Sequence, residues 1–182
     1  MRFLVFAFTT ALLAAGPKFN AKQELERPPD YRNWVYLTSG LGMAYGPAAR
    51  ESATPLFDNV FVEPNAHAEF LKTGHWPEGT MFVLELRRNV TGQSINKTGH
   101  SQGEIAAIEM SVKDKRYPDG WGYFGFRTGT TAAAFPQTES CYACHKANTA
   151  TDNTFVQFYP TLLEVARAKG VLNAAYLVTE KK

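Results

Sequence analysis

From Tyr31 to Phe126 the apolar residues come in short blocks bounded by Gly, Pro or Asn, with no long stripe of helical period. That texture predicts an antiparallel sheet. The clearest strand candidates are Asn59 to Val62, Thr80 to Arg87, Glu104 to Val112 and Trp121 to Phe126, all rich in β-branched or aromatic residues. Between the first two, Pro64 to Lys72 predicts a short helix with Pro near its start and Gly74 just past its end, and Pro77-Glu78-Gly79 turns the chain into the next strand. The polar, glycine-bearing stretch Val90 to Gly103 predicts a loop. After Phe126 the texture changes. Gly129 to Pro136 is a small-residue linker, Thr138 or Ser140 is placed to cap a helix carrying Cys141 to Asn148, and a final helix is expected from Pro160 to Lys169 with Gly170 as its stop.

The N-terminus is patterned differently. Met1-Arg2 is followed by an uncharged apolar run from Phe3 to Ala15, closed by Gly16-Pro17. A spanning helix needs about 20 apolar residues, so residues 1–16 are expected to be a secretory signal that takes the chain to the periplasm. Residues 17–29, with Lys18, Lys22, Glu24, Glu26, Arg27 and Pro28-Pro29, are expected to form a flexible leader, and residues 30–182 a single domain. The expected class is α+β: mainly an antiparallel sheet packed with helices. Nineteen Lys and Arg against seventeen Asp and Glu leave a formal charge of +2 with no basic stripe, which argues against nucleic acid as a partner.

The chemistry is concentrated at Cys141-Tyr142-Ala143-Cys144-His145, the C-x-x-C-H spacing of covalent haem attachment. Two thiols about one helical turn apart add across the two vinyl groups on one porphyrin edge, and the next residue delivers an imidazole to the iron. Zinc would want four Cys or His ligands, and these are the only two cysteines in the chain. A thioredoxin-like pair would want an α/β surround, and a disulfide across two residues closes too small a loop to stabilise much. One haem c on the C-terminal helical segment, bonded through Cys141 and Cys144 and ligated by His145, is therefore expected. No Met or His follows His145 to fill the sixth iron position. The upstream candidates are Met43, Met81, Met110, His67, His75 and His100, residue types that more often serve as core or surface. An open distal face is the expectation.

Beyond this motif, Asp30-Tyr31-Arg32-Asn33-Trp34-Val35, Val60 to Pro64, Lys72-Thr73-Gly74, Gly79-Thr80, Ile108 to Asp114, Gly120-Trp121, and Cys141 to His145 followed by Phe158-Tyr159-Pro160 closely resemble the cytochrome P-460 family, which takes in its relative cytochrome c′-beta. The resemblance runs from about Asp30 to Leu163. It implies a five-coordinate haem between sheet and helices, and a homodimer. Family members that oxidise hydroxylamine carry a lysine, bonded to a haem meso carbon, in the strand after the Gly-Thr turn. Cytochrome c′-beta binds nitric oxide and lacks that activity.

The position matching that lysine is Leu84. Strand alternation puts Phe82, Leu84 and Leu86 on one face, so an apolar wall is expected against the haem where the family has its cross-link. Lys72 matches a different family lysine. Glu109 matches the family's distal carboxylate, the group that relays protons in hydroxylamine oxidation, and its alternative is an edge-strand glutamate facing water. The resulting expectation is a periplasmic mono-haem cytochrome that binds nitric oxide or a related nitrogen-oxide ligand and meets a redox partner cytochrome. The alternatives are a hydroxylamine-oxidising enzyme and a simple electron carrier.

Overall fold

Sequential hairpins build the protein, and the computed structural model describes residues 16–45 and 52–180. The expected signal at residues 1–16 lies outside the described residues apart from Gly16. The elements run β1 (Leu25–Glu26), β2 (Val35–Leu41), β3 (Leu56–Val62), α1 (Pro64–Thr73), β4 (Met81–Thr91), β5 (His100–Lys113), β6 (Trp121–Arg127), β7 (Thr131–Ala132), α2 (Ser140–Asn148), α3 (Pro160–Lys169) and α4 (Ala174–Glu180). Strands β2 to β6 form one antiparallel sheet in chain order, and β1 pairs with β7 in a small second ladder. The α+β architecture expected from the pattern is the one that forms.

Period-2 alternation gives the sheet two apolar faces, each with its own core. On one face Val62, Phe82, Trp121 and Tyr123 pack with Phe70 of α1, Leu162 and Ala166 of α3, and Val156 and Tyr159 between the helices. On the other, Met81, Val83, Ile108, Met110, Val112, Phe124 and Phe126 pack with Leu25, Tyr31 and Ala132 from the N-terminal segment and β7. Fully buried side chains such as Phe70, Trp121 and Leu162 each contribute about 1.5–3 kcal/mol by removal from water. Both long helices end as their glycines dictate: Gly74 and Gly170 take left-handed φ of 77° and 69°. Helix α1 starts on a Glu63 carboxylate that accepts from the Ala66 amide at 2.9 Å.

Several elements differ from the sequence expectation. Strand β2 was not among the candidates, because Thr38, Ser39 and Gly40 break its apolar run. Strand β3 begins three residues before Asn59, through Leu56, Phe57 and Asp58. The expected loop from Val90 to Gly103 is ladder at both ends: Val90 pairs with Ser101 and Thr91 with His100, so β4 and β5 continue outward as a two-stranded arm whose tip is residues 92–99. An arm wetted on both faces needs no apolar alternation, so pattern reading misses it. The expected loose leader is tied down from Phe19 onward, since Leu25 is fully buried and the Arg27 amide donates to the Thr130 carbonyl at 2.8 Å. Neither Thr138 nor Ser140 caps α2; Ser140 is its first residue, and the N-cap position belongs to Glu139. Nor is α3 the last helix, because α4 follows it.

Candidate functional site

A cavity of about 380 Å³ lies between the first face of the sheet and the segment carrying α2 and residues 155–159, a size typical of small-molecule and cofactor sites. Its sheet wall is Thr38 of β2, Asp58 and Val60 of β3, Phe82, Leu84 and Leu86 of β4, Glu109 and Ser111 of β5 and Tyr123 of β6. Phe135, Cys141, Cys144, His145, Phe155, Phe158 and Tyr159 enclose the other side. Cys141, Cys144, His145, Phe82, Leu84 and Glu109, the residues the sequence offers for haem, iron and distal site, therefore line one cavity, although more than a hundred positions of sequence are folded between β2 and Tyr159 to make it.

The helix sets the donor geometry. Cys141 and Cys144 stand three apart on α2, on adjacent turns of one side, and no disulfide joins them. His145 is held from three directions. Its ring lies between Tyr123 at 4.4 Å and Phe155 at 4.6 Å between centroids, and its Nδ1 donates to the Asn153 carbonyl at 2.8 Å. A carbonyl accepts only, so Nδ1 carries the proton and Nε2 keeps its lone pair. Burial lowers the imidazole's pKa, only partly offset by the Asn153 contact, and the ring stays neutral. That is the tautomer and charge state a metal-ligating histidine requires.

The carbonyl that orients His145 is itself clamped. Asp152 and Asn153 both take left-handed φ, 45° and 52°, which Asp and Asn tolerate better than other non-glycine residues. Lys113 of β5 forms an ion pair with Asp152, and the Trp121 Nε1 donates to the same carboxylate at 3.3 Å. The sheet thus fixes the turn, the turn fixes the carbonyl, and the carbonyl fixes the ring.

The acids of the cavity stand apart from its apolar wall. Glu109 is half-buried, and burial raises its carboxyl above the usual carboxylate range. Asp58 was missed by sequence reading, although it is two residues before Val60 and so shares that residue's face. Burial first, then the charge of Glu109, pushes it up to about 6. Tyr45 is a further cavity residue that the sequence pattern does not mark, and its hydroxyl donates to the Met43 sulfur at 3.5 Å. Of the sixth-ligand candidates, Met43 and Met110 touch the cavity, Met110 from the opposite core. Met81 is buried in that core, while His75 and His100 are exposed.

Chemically, the site offers two thiols and one neutral imidazole on the rim of an apolar chamber. Among the described residues no group of three or more His, Cys, Asp or Glu side chains converges to hold a bare metal ion. Thiols placed for an edge of a flat macrocycle, and an imidazole lone pair placed for its metal, fit a porphyrin.

Compared with known protein families, the chain matches the family described as Cytochrome P460 over residues 28–156, more than half of its 182 residues. No curated protein matches it.

Proposed function

The chain belongs to the cytochrome P460 family, and on that premise we propose that it is an exported, mono-haem c-type cytochrome that binds nitric oxide or a related small nitrogen-oxide ligand. Family membership carries the haem and the role of a cytochrome. The finer assignments are that Cys141 and Cys144 form the thioethers, that His145 is the proximal ligand, and that the sixth position is open. When bound, the haem supplies an iron that coordinates a diatomic ligand on its distal side.

The protein's own residues do the rest. Asn153 and Tyr123 orient His145, and Phe155 closes over its other face. Val60, Phe82, Leu84 and Leu86 keep water from the chamber. The observation that carries the reading is Leu84 in that wall, where a lysine would be needed for the cross-link of the hydroxylamine-oxidising members. Further parts of the proposal are delivery to the periplasm by residues 1–16, a homodimer, and electron exchange with a partner cytochrome.

Absorption spectroscopy of the purified ferrous protein tests it. A high-spin, five-coordinate spectrum that shifts on adding nitric oxide is the expected result, and Cys144→Ala should lose covalently held pigment. A low-spin, six-coordinate spectrum that becomes high-spin in Met43→Ala would overturn the reading in favour of an electron carrier.

One observation favours a second reading. Glu109 lines the cavity with its carboxyl raised by burial, which makes it a better proton holder than a solvated carboxylate. In that reading the protein oxidises hydroxylamine, with electrons passed to an external acceptor. Anaerobic turnover with a supplied oxidant, abolished in Glu109→Gln, is the result that would establish it.

A further inference from the structure

The cavity wall carries two carboxyl groups on one face of the sheet. Asp58 is paired across the ladder with Leu86, and Glu109 with Leu84, so the two acids flank the leucines of β4 from either side. Two strand spacings and an offset of two residues place their Cα atoms roughly 12 Å apart, with the side chains nearer. Among the described residues lining the cavity there is no lysine or arginine.

The surroundings of Asp58 sharpen this. It lies beside Gly40 of β2 and pairs with Leu86 of β4, and the rest of the cavity it lines is contributed by Thr38, Met43 and Tyr45, by Glu109 of β5, and across the chamber by Cys141, Cys144 and His145 of α2. The titratable groups among these are the Tyr45 phenol, the Glu109 carboxyl, the two thiols, which a thioether bond removes from titration, and the neutral His145. Arg88, further along β4, lines a separate groove with Leu56 and His100. The Glu85 carboxylate and its cations belong to the other face of the sheet.

We infer that Asp58 is a specificity-determining residue of this cavity: together with Glu109 it sets a negative potential across the Leu84–Leu86 wall that turns away small anions and admits neutral ligands. The inference rests on the reading that a small ligand enters here. It adds a charge filter to the apolar wall, so that azide or nitrite is disfavoured while nitric oxide is not. Because burial and Glu109 raise Asp58 to about 6, the share of the filter that Asp58 supplies is weak at pH 5 and complete by pH 8. One charge acting over about 10 Å through protein of intermediate dielectric changes the affinity for an anion on the order of tenfold.

The experiment uses haem-loaded protein at fixed ionic strength, since salt screens the effect. Ferric protein is titrated with azide and ferrous protein with nitric oxide, at pH 5 and pH 8, in wild type, Asp58→Asn and Asp58→Glu. Asp58→Asn should bind azide about tenfold more tightly than wild type at pH 8 and equally at pH 5. Asp58→Glu should restore the wild-type weakness, and nitric oxide affinity should stay within about twofold throughout. Equal azide affinities at pH 8, or a parallel gain for azide and nitric oxide, would overturn the inference.

The reduction potential separates this from the parent reading. A carboxylate near the iron favours the ferric state, so the wild-type potential should fall as pH rises through about 6, and Asp58→Asn should lack that step. If wild type takes neither ligand, the open-site reading fails and the ligand filter with it, while the potential still decides whether Asp58 charges the cavity: a step confined to wild type means that it does, and superimposable curves refute it.

Discussion

Glu85 and Glu109 are the same residue type on neighbouring strands, both withdrawn from water, and their carboxyls are driven in opposite directions. Glu85 points to the face without the cavity and is only 2% exposed. Burial raises it, but hydrogen bonds from Arg87, Tyr31 and Arg32 together outweigh burial and hold its carboxyl below the ordinary value. Glu109 faces the cavity, where burial acts without such donors and raises it. Burial alone therefore does not decide whether an acid in this sheet is charged; the donors at its face do. One face uses its buried acid to tie the N-terminal segment to β4, and the other leaves its acids without such donors.

The comparison is broken most forcefully by removing Glu85. Glu85→Ala leaves Arg87 and the Tyr31 hydroxyl without their acceptor and should cost about 3 kcal/mol at pH 7, read as a drop in urea midpoint. The depressed carboxyl contributes its stability above the unfolded-state pKa and loses it as pH falls through the folded one, so the gap between variant and wild type should narrow towards pH 3. Unchanged midpoints at pH 7 would reduce the cluster to decoration.

Asp58→Asn is the counterpart on the cavity face, with the opposite sign. A raised carboxyl favours folding while protonated and penalises it once ionised, so wild type loses stability as pH climbs from about 4 to about 6. The variant should be more stable than wild type by roughly 1 kcal/mol at pH 8 and no different near pH 4. A destabilised variant at pH 8 would mean that Asp58 has a hidden donor.

The smallest effect concerns the clamp behind His145. Lys113 and Asp152 are both partly exposed, so Lys113→Met should change stability by less than about 1 kcal/mol. It should nonetheless loosen the Asn153 carbonyl and lower the iron–histidine stretching frequency of the loaded ferrous protein. Lys113→Arg should restore it. A frequency indifferent to both would show that Asp152 and Asn153 hold their turn unaided.

How much of this was legible beforehand depends on the kind of signal. Cys141, Cys144 and His145 declare themselves because their chemistry demands a fixed local spacing, which a sequence displays directly. Phe82, Leu84 and Glu109 follow from alternation plus family resemblance. Asp58 obeys the same alternation, but acids are depleted from strands, so the residue pattern opens this strand at Asn59, one position past it. Strand β2 is an edge strand with a polar centre, and the outer arm of β4 and β5 is polar on both sides, so neither carries the apolar period that marks a buried strand. The Asn153 contact uses a backbone carbonyl, which no side-chain pattern encodes; the adjacent Asp152-Asn153 pair, tolerant of left-handed backbone, was its only trace. Leu25 looked like one apolar residue in a polar stretch, and only the finished second core shows what it fills.

The arm formed by β4 and β5 also gives the molecule a handle. Its tip, where Ile95 is 93% exposed, lies beyond the Thr91–His100 pair, and Thr91 is seven residues, about 23 Å, along the strand from Leu84. A fluorophore or epitope grafted between Ser94 and Lys97 would ride on a hydrogen-bonded ladder joined directly to the cavity wall. It would report the orientation of that wall on a surface or in an assembly while leaving the iron's surroundings chemically untouched.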